Sequence, residues 1–159
     1  MSARLVTTLV AAGVLLSVAA CGDGGAGEWL ASARAVHDSA DRALAAGDLD
    51  AARRSLQGFA TQPPPEGVGP EDARVVRQDV FYRLSRLALR EGDAEAAKGW
   101  AERGLALGRR DDVFTANLLV ARGQALEALG QGVEAAADYH DALRINERLL
   151  DALLDGDEP

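Results

Sequence analysis

The chain writes nearly one phrase three times: GDLDAARRS at 47–55, GDAEAAKGW at 92–100 and, more loosely, GQGVEAAADY at 130–139. No other feature limits its fold as strongly. A glycine can take the left-handed conformation that closes a helix, and Asp48 or Asp93 can cap the next helix by accepting a backbone N–H. So short a connection turns consecutive helices antiparallel, and each phrase therefore predicts the elbow of a helical hairpin. Alanine stands five places after each elbow glycine (Ala52, Ala97, Ala135), and a small residue stands seven places before it (Ala40, Ser85, Gly123). Small side chains at fixed places on both arms predict that the two helices of each hairpin approach closely.

From Glu28 onward the chain is rich in Ala, Leu, Arg and Glu, with apolar residues at spacings of three and four, the pattern of amphipathic helices. Helix breakers divide it into six segments. The first runs from about Glu28 to Ala46, and the second from Asp48 to near Phe59. TQPPPEGVGP then interrupts, because consecutive prolines cannot sit inside a helix. The third opens at Gly69-Pro70, with proline suited to a first turn, and stops at Gly92. The fourth spans Asp93 to about Leu107, the fifth runs from Asp111 or Asp112 to Gly130, and the sixth from about Val133 towards Leu154. The expectation is an all-α domain over 28–154, with hairpins at about 28–60, 70–108 and 111–146, an extension at 147–154 and a polar tail at 155–159.

The third hairpin carries the clearest resemblance. In ARGQALEALGQGVEAAADYHDALRIN, the residues Gly123, Leu126, Gly130, Ala135, Tyr139 and Ala142 match the small, large, glycine, alanine, aromatic and alanine positions of the tetratricopeptide repeat. The chain thus resembles that family, helix–turn–helix units of about 34 residues that stack on their neighbours. The second unit keeps Ser85, Gly92 and Ala97 but has Ala101 and Gly104 where an aromatic and an alanine are expected. In the first unit, Phe59 occupies an alanine-type position. The elbow glycines are 45 and 38 residues apart, which assigns the first excess to the Pro-rich insertion and the second to a longer connection around 108–112. The resemblance covers about 28–146 and implies a right-handed solenoid of about three repeats and six helices. An unrelated bundle of hairpins is the alternative, and it differs in how the hairpins stack.

The N-terminus belongs to another category. Residues 1–20 have one charge, Arg4, then an uncharged run of 16 residues from Leu5 that ends in small side chains before Cys21, the only cysteine. A charged start, an apolar stretch and a small-residue exit form a secretory signal peptide. The run is short for a membrane span, which needs roughly 20 residues. VAAC at 18–21 resembles the lipobox of bacterial lipoproteins, which implies a covalent lipid on Cys21 and cleavage just before it. Alternatives are a free cysteine after ordinary cleavage, or an uncleaved signal-anchor. Residues 21–27, CGDGGAG, read as a flexible tether. In a host with two membranes, the absence of aspartate after Cys21 leans towards the periplasmic face of the outer membrane.

Without residues 1–20, the chain has 16 basic against 25 acidic side chains, a net charge of −9. That balance argues against nucleic acid, whose phosphates are held by basic patches. No catalytic constellation, cofactor or metal site is expected. His37 and His140 lie in different hairpins without a second histidine or cysteine at ligand spacing. Tyr139-His140-Asp141 are consecutive helical positions that do not face one another. A helical ligand-binding or catalytic domain using His140 is the remaining enzyme-like alternative.

Surface recognition is left. The resemblance implies a concave groove lined by the first helix of each hairpin, receiving a peptide or helix of another protein. Carried over by position, the groove set is Arg34, His37 and Asp41, then Asp79, Tyr82, Arg86 and Arg90, then Asn117, Gln124 and Glu127. Arg83, Arg86 and Arg90 share one helical face, either as a positive stripe beside Tyr82 or as partners of neighbouring acids. Trp29 is expected to cover the end of the stack, and Trp100 to fill core space between Ala97 and Ala101. Ile145, Leu149, Leu150, Leu153 and Leu154 are expected to cap the last hairpin, or else to form a dimer or partner surface.

Overall fold

The computed structural model describes residues 24–156, and within them all regular secondary structure is helical. Residues 1–23, with the expected signal peptide, Cys21 and the start of the tether, lie outside the described residues, as do 157–159. The helices are α1 (Gly24–Ala45), α2 (Leu49–Ala60), α3 (Pro70–Arg90), α4 (Ala94–Ala106), α5 (Val113–Ala128) and α6 (Gly132–Leu154). None is long and apolar enough to cross a membrane.

The elbows form by local chemistry that repeats almost atom for atom. Gly47, Gly92 and Gly130 have φ of 77°, 77° and 76°. At each, the glycine amide bonds three residues back, to the carbonyls of Leu44, Leu89 and Glu127. The next amide reaches five back, to Ala43, Ala88 and Leu126, at 2.9, 2.9 and 2.8 Å. This double closure satisfies carbonyls that a helix end would leave bare, and it needs a positive φ that costs glycine nothing. Asp48 Oδ1 then accepts the Ala51 amide at 2.8 Å, and Asp93 Oδ1 accepts the Ala96 amide at 2.9 Å. The third elbow has Gln131 instead, and its side chain makes no capping bond.

Small residues meet across each elbow as the spacing predicts. Ala40, Ala52, Ser85, Ala97, Gly123 and Ala135 are all buried. Ser85 Oγ donates to the Ala97 carbonyl at 2.8 Å, so α3 and α4 are held by a hydroxyl that also fits the narrow gap. In the third hairpin a β-carbon on Gly123 would stand 2.6 Å from Tyr139 Cε1, so the ring lies directly on the glycine. Tyr139 Oη donates to Glu127 Oε2 at 2.9 Å. Gly104 plays the same part between helices, since a β-carbon there would meet Leu118 at 2.7 Å and Phe81 at 3.1 Å.

One apolar core runs through all six helices, from Trp29 and Phe59 at one end, through Val80, Leu84, Leu118 and Leu119, to Ala142 and Ile145. Phe59 fits its small-residue position because Trp29 covers it, with ring centroids 5.4 Å apart. Trp100 is only half-buried: it stacks on Phe81 at 6.1 Å, and the Arg103 guanidinium lies 4.4 Å over its outer face.

The long connection at 107–112 is clamped rather than loose. Gln78, fully buried on α3, donates from Nε2 to the carbonyls of Gly104 (3.1 Å) and Gly108 (2.8 Å). Arg74, 7% exposed, joins Gln78, Glu71 and Asp112. Its hydrogen bond with Glu71 raises the guanidinium pKa and lowers that of Glu71. Burial alone would raise the Asp112 pKa, but the Thr115 amide and Arg74 outweigh it and hold the carboxylate charged. Between α5 and α6, Arg122 forms a two-pronged pair with Asp138 at 2.7 and 2.6 Å.

One expectation needs correction. α1 begins at Gly24, four residues before Glu28, so 24–27 are not tether. The position of a β-carbon on Gly25 lies 3.7 Å from Pro65, so the Pro-rich insertion lies against that glycine-rich first turn. The leucine-rich end of α6, expected either to cap the last hairpin or to form a partner surface, is divided. Ile145 and Leu149 pack on the core, but Leu150, Leu153 and Leu154 are 56%, 67% and 75% exposed. On a helix, Leu143, Leu150 and Leu154 share a face turned away from Ile145.

Candidate functional site

The hairpins do not stack evenly. α5 packs along α3, whereas the backbones of α1 and α3 stay further apart, joined by long side chains and by α2, which packs on both. A cavity of about 240 Å³ opens where α1 and α3 diverge. Ala40 and Leu44 of α1, Leu56 of α2 and Leu87 of α3 give it an apolar floor, while Asp41, Tyr82, Arg83, Arg86 and Arg90 line it with polar groups. Apolar side chains with a few convergent polar groups are the usual make-up of a binding pocket.

The rim has two electrostatic halves. At one end, Arg83 is already neutralised: Nη1 donates to Asp41 at 2.9 Å and Nε to Asp79 at 3.2 Å. His37 Nδ1 lies 3.3 Å from the same Asp79 carboxylate, and its buried Nε2 has no hydrogen-bond partner. Burial, and then Arg83, push the His37 pKa below its ordinary value, against the pull of Asp79, Asp41 and Asp38. At the other end, Arg86 Nη1 meets only Tyr82 Oη, at 3.2 Å, with the guanidinium 5.9 Å from the ring centroid. Neither Arg86 nor Arg90 has a carboxylate partner among the described residues, although the acidic side chains of this chain outnumber the basic ones 25 to 17. The arginine stripe is therefore divided: Arg83 is structural, while Arg86 and Arg90 are free.

Of the sequence-derived groove set, Asp41, Tyr82, Arg86 and Arg90 line this wedge, and His37 and Asp79 stand next to it through the Asp79–Arg83 pair. Arg34 is exposed on α1 and does not line the cavity. The α5 residues also stand apart. Asn117 and Gln124 are half-buried away from the cavity, and Glu127 is held by Tyr139 of α6, because α5 packs too tightly on α3 to leave a cleft there. Leu44, Leu56 and Leu87, the floor, escaped the sequence reading. Leu56 and Leu87 belong to the buried core as well, and only Leu44 is partly open, so nothing in their spacing sets them apart from other core positions.

His140 is exposed on α6, and its neighbour Asp141 is engaged by Arg109 and Arg144, both at 3.1 Å. Among the described residues no group of three or more His, Cys, Asp or Glu side chains is placed to hold a metal ion. Comparison with protein-family models, with curated proteins and with solved structures gives no match for this chain.

Proposed function

We propose that the chain is a lipid-anchored, non-catalytic adaptor or assembly factor of a bacterial envelope, built as a short tetratricopeptide-like solenoid. The observation that carries the binding role is the wedge between α1 and α3, an apolar floor bordered by two arginines without acidic partners among the described residues. Arginine and tyrosine are enriched at interaction hot spots, and an apolar floor with a few polar groups is the usual lining of a pocket. The three alike elbows support the repeat architecture, and the tight α3–α5 stacking is what neighbouring repeats require. In this reading the wedge receives a peptide or helix of a partner protein. The sequence 1–21 supports export, with a lipid on Cys21 as the anchor and the outer membrane as the favoured site in a two-membrane host.

The test is affinity purification of the full-length chain from native membranes. A partner recovered with the wild type and lost with the double variant Arg86→Glu/Arg90→Glu supports the reading. Recovery equal in both variants removes the wedge as the binding surface. Cys21→Ala, followed by membrane fractionation, separates a lipid anchor, which is lost, from a signal-anchor, which stays.

A further inference from the structure

A second surface of the molecule is left without a partner, and its chemistry is the converse of the wedge. On the outer face of α6, Leu143, Leu150 and Leu154 recur at heptad-like spacing, each more than half exposed. Glu147, Asp151 and Asp155 border that stripe and join no ion pair among the described residues, while the nearby Arg144 and Arg148 are taken by Asp141 and Asp111. The last turn of α6 contains no basic residue. The stripe is therefore leucine edged with free carboxylate, and the wedge is leucine and alanine edged with free guanidinium.

We infer that the wedge of one molecule receives the α6 end of a second copy of this chain. An amphipathic helix laid in an apolar groove is a common recognition mode, read through anchors at spacings of three, four and seven. Here the leucine side chains of α6 enter against Leu44, the partly open residue of the floor, with the buried Ala40, Leu56 and Leu87 beneath it. Asp151 and Asp155 come to Arg86 and Arg90, supplying the carboxylates that these arginines lack among the described residues of their own chain. The two surfaces differ, so the contact is head-to-tail, and each bound copy still offers a free wedge and a free α6. Growth into a row or ring follows, unlike the closed pair that a self-complementary patch produces. The inference rests on the adaptor reading and names the occupant of its groove.

The experiment co-expresses two differently tagged full-length copies and extracts the membranes in mild detergent. One tag is captured, and recovery of the other is measured. Wild-type copies recover each other. Arg86→Glu/Arg90→Glu on both copies lowers recovery by about tenfold or more, because like charges then face each other, and Leu150→Asp/Leu154→Asp does the same. Circular dichroism confirms that both variants remain helical. Recovery returns when Arg86→Glu/Arg90→Glu and Asp151→Arg/Asp155→Arg are combined on both copies, so that every wedge and every α6 is charge-reversed together, an outcome that a merely unfolded variant cannot produce. Absence of wild-type recovery, or recovery unchanged by both variants, overturns the inference. If copies do not associate but the wedge variant strips a different protein from native membranes, the second copy is wrong and the adaptor reading stands. If the wedge variant changes neither, both fall.

Discussion

Arg122 on α5 grips Asp138 on α6 through both carboxylate oxygens, at 2.7 Å from Nε and 2.6 Å from Nη2. The hydrogen bond to Asp138 raises the arginine's pKa, so the guanidinium is charged throughout the accessible pH range. The two partners are not equally replaceable. Asp138 is buried, whereas Arg122 is only half-buried and can turn to water. Arg122→Ala is expected to cost about 3 kcal/mol, because it strands a buried carboxylate. Asp138→Ala is expected to cost less than Arg122→Ala. Urea denaturation of both variants checks the order, and an equal or reversed order would contradict it.

The glycines divide into two classes with opposite responses to alanine. Gly92→Ala meets no atom within 4 Å, so its whole cost is the φ of 77°, about 1 kcal/mol. Gly99→Ala, also in open space but inside α4, is expected to stabilise by about 0.5–1 kcal/mol through helix propensity. Thermal unfolding should move the two melting temperatures in opposite directions.

Tyr139 carries a spectroscopic report of hairpin closure. Burial, followed by the bond to Glu127, pushes its phenol from 10.0 up to about 12. A phenol whose pKa is raised on folding contributes stability that is present at neutral pH and lost as pH rises above 10. Gly123→Ala forces the ring off its seat and should destabilise by about 1–3 kcal/mol, the range for overpacking. Ultraviolet titration should then find Tyr139 ionising nearer 10 than in the wild type. An unchanged titration would mean that the ring does not depend on that glycine.

His37 sets the response to acid at the wedge. Its pKa is depressed in the folded chain, so the unfolded chain binds the proton more readily. Stability from the neutral imidazole is complete above the ordinary value of 6.5 and is lost as pH falls from there through the folded value. His37→Gln should flatten that part of the stability–pH curve. Denaturant midpoints across the mildly acidic range measure it, and parallel curves for wild type and variant would refute the assignment.

What was legible in the sequence was local. A glycine and the acid after it determine their own turn, so Gly47-Asp48 and Gly92-Asp93 announced the elbows and, with the breakers, all six helices. Long-range partners left no such mark. Nothing adjacent to Arg74 or Gln78 shows that they clamp a connection 38 and 30 residues downstream. The start of α1 was misplaced because Gly24 and Gly25 are poor helix formers by themselves, and Pro65 lies outside any local window. The leucines of α6 have the spacing of a buried stripe, and only the location of the core shows that three of them face solvent. In the wedge, the arginines were visible as a face, but their freedom depends on Asp41 and Asp79 having gone to Arg83.

The occupied wedge is the central claim, and arginine-specific dicarbonyl modification tests it whatever the occupant is. Native membranes and the purified monomeric chain are treated alike, and the modified residues are read by mass spectrometry. Arg54, exposed on α2 and without an ion pair among the described residues, serves as the control. The account predicts that Arg86 and Arg90 react several-fold more slowly in membranes than in the monomer, while Arg54 is unchanged. Equal reactivity of Arg86 and Arg90 in both states would contradict it.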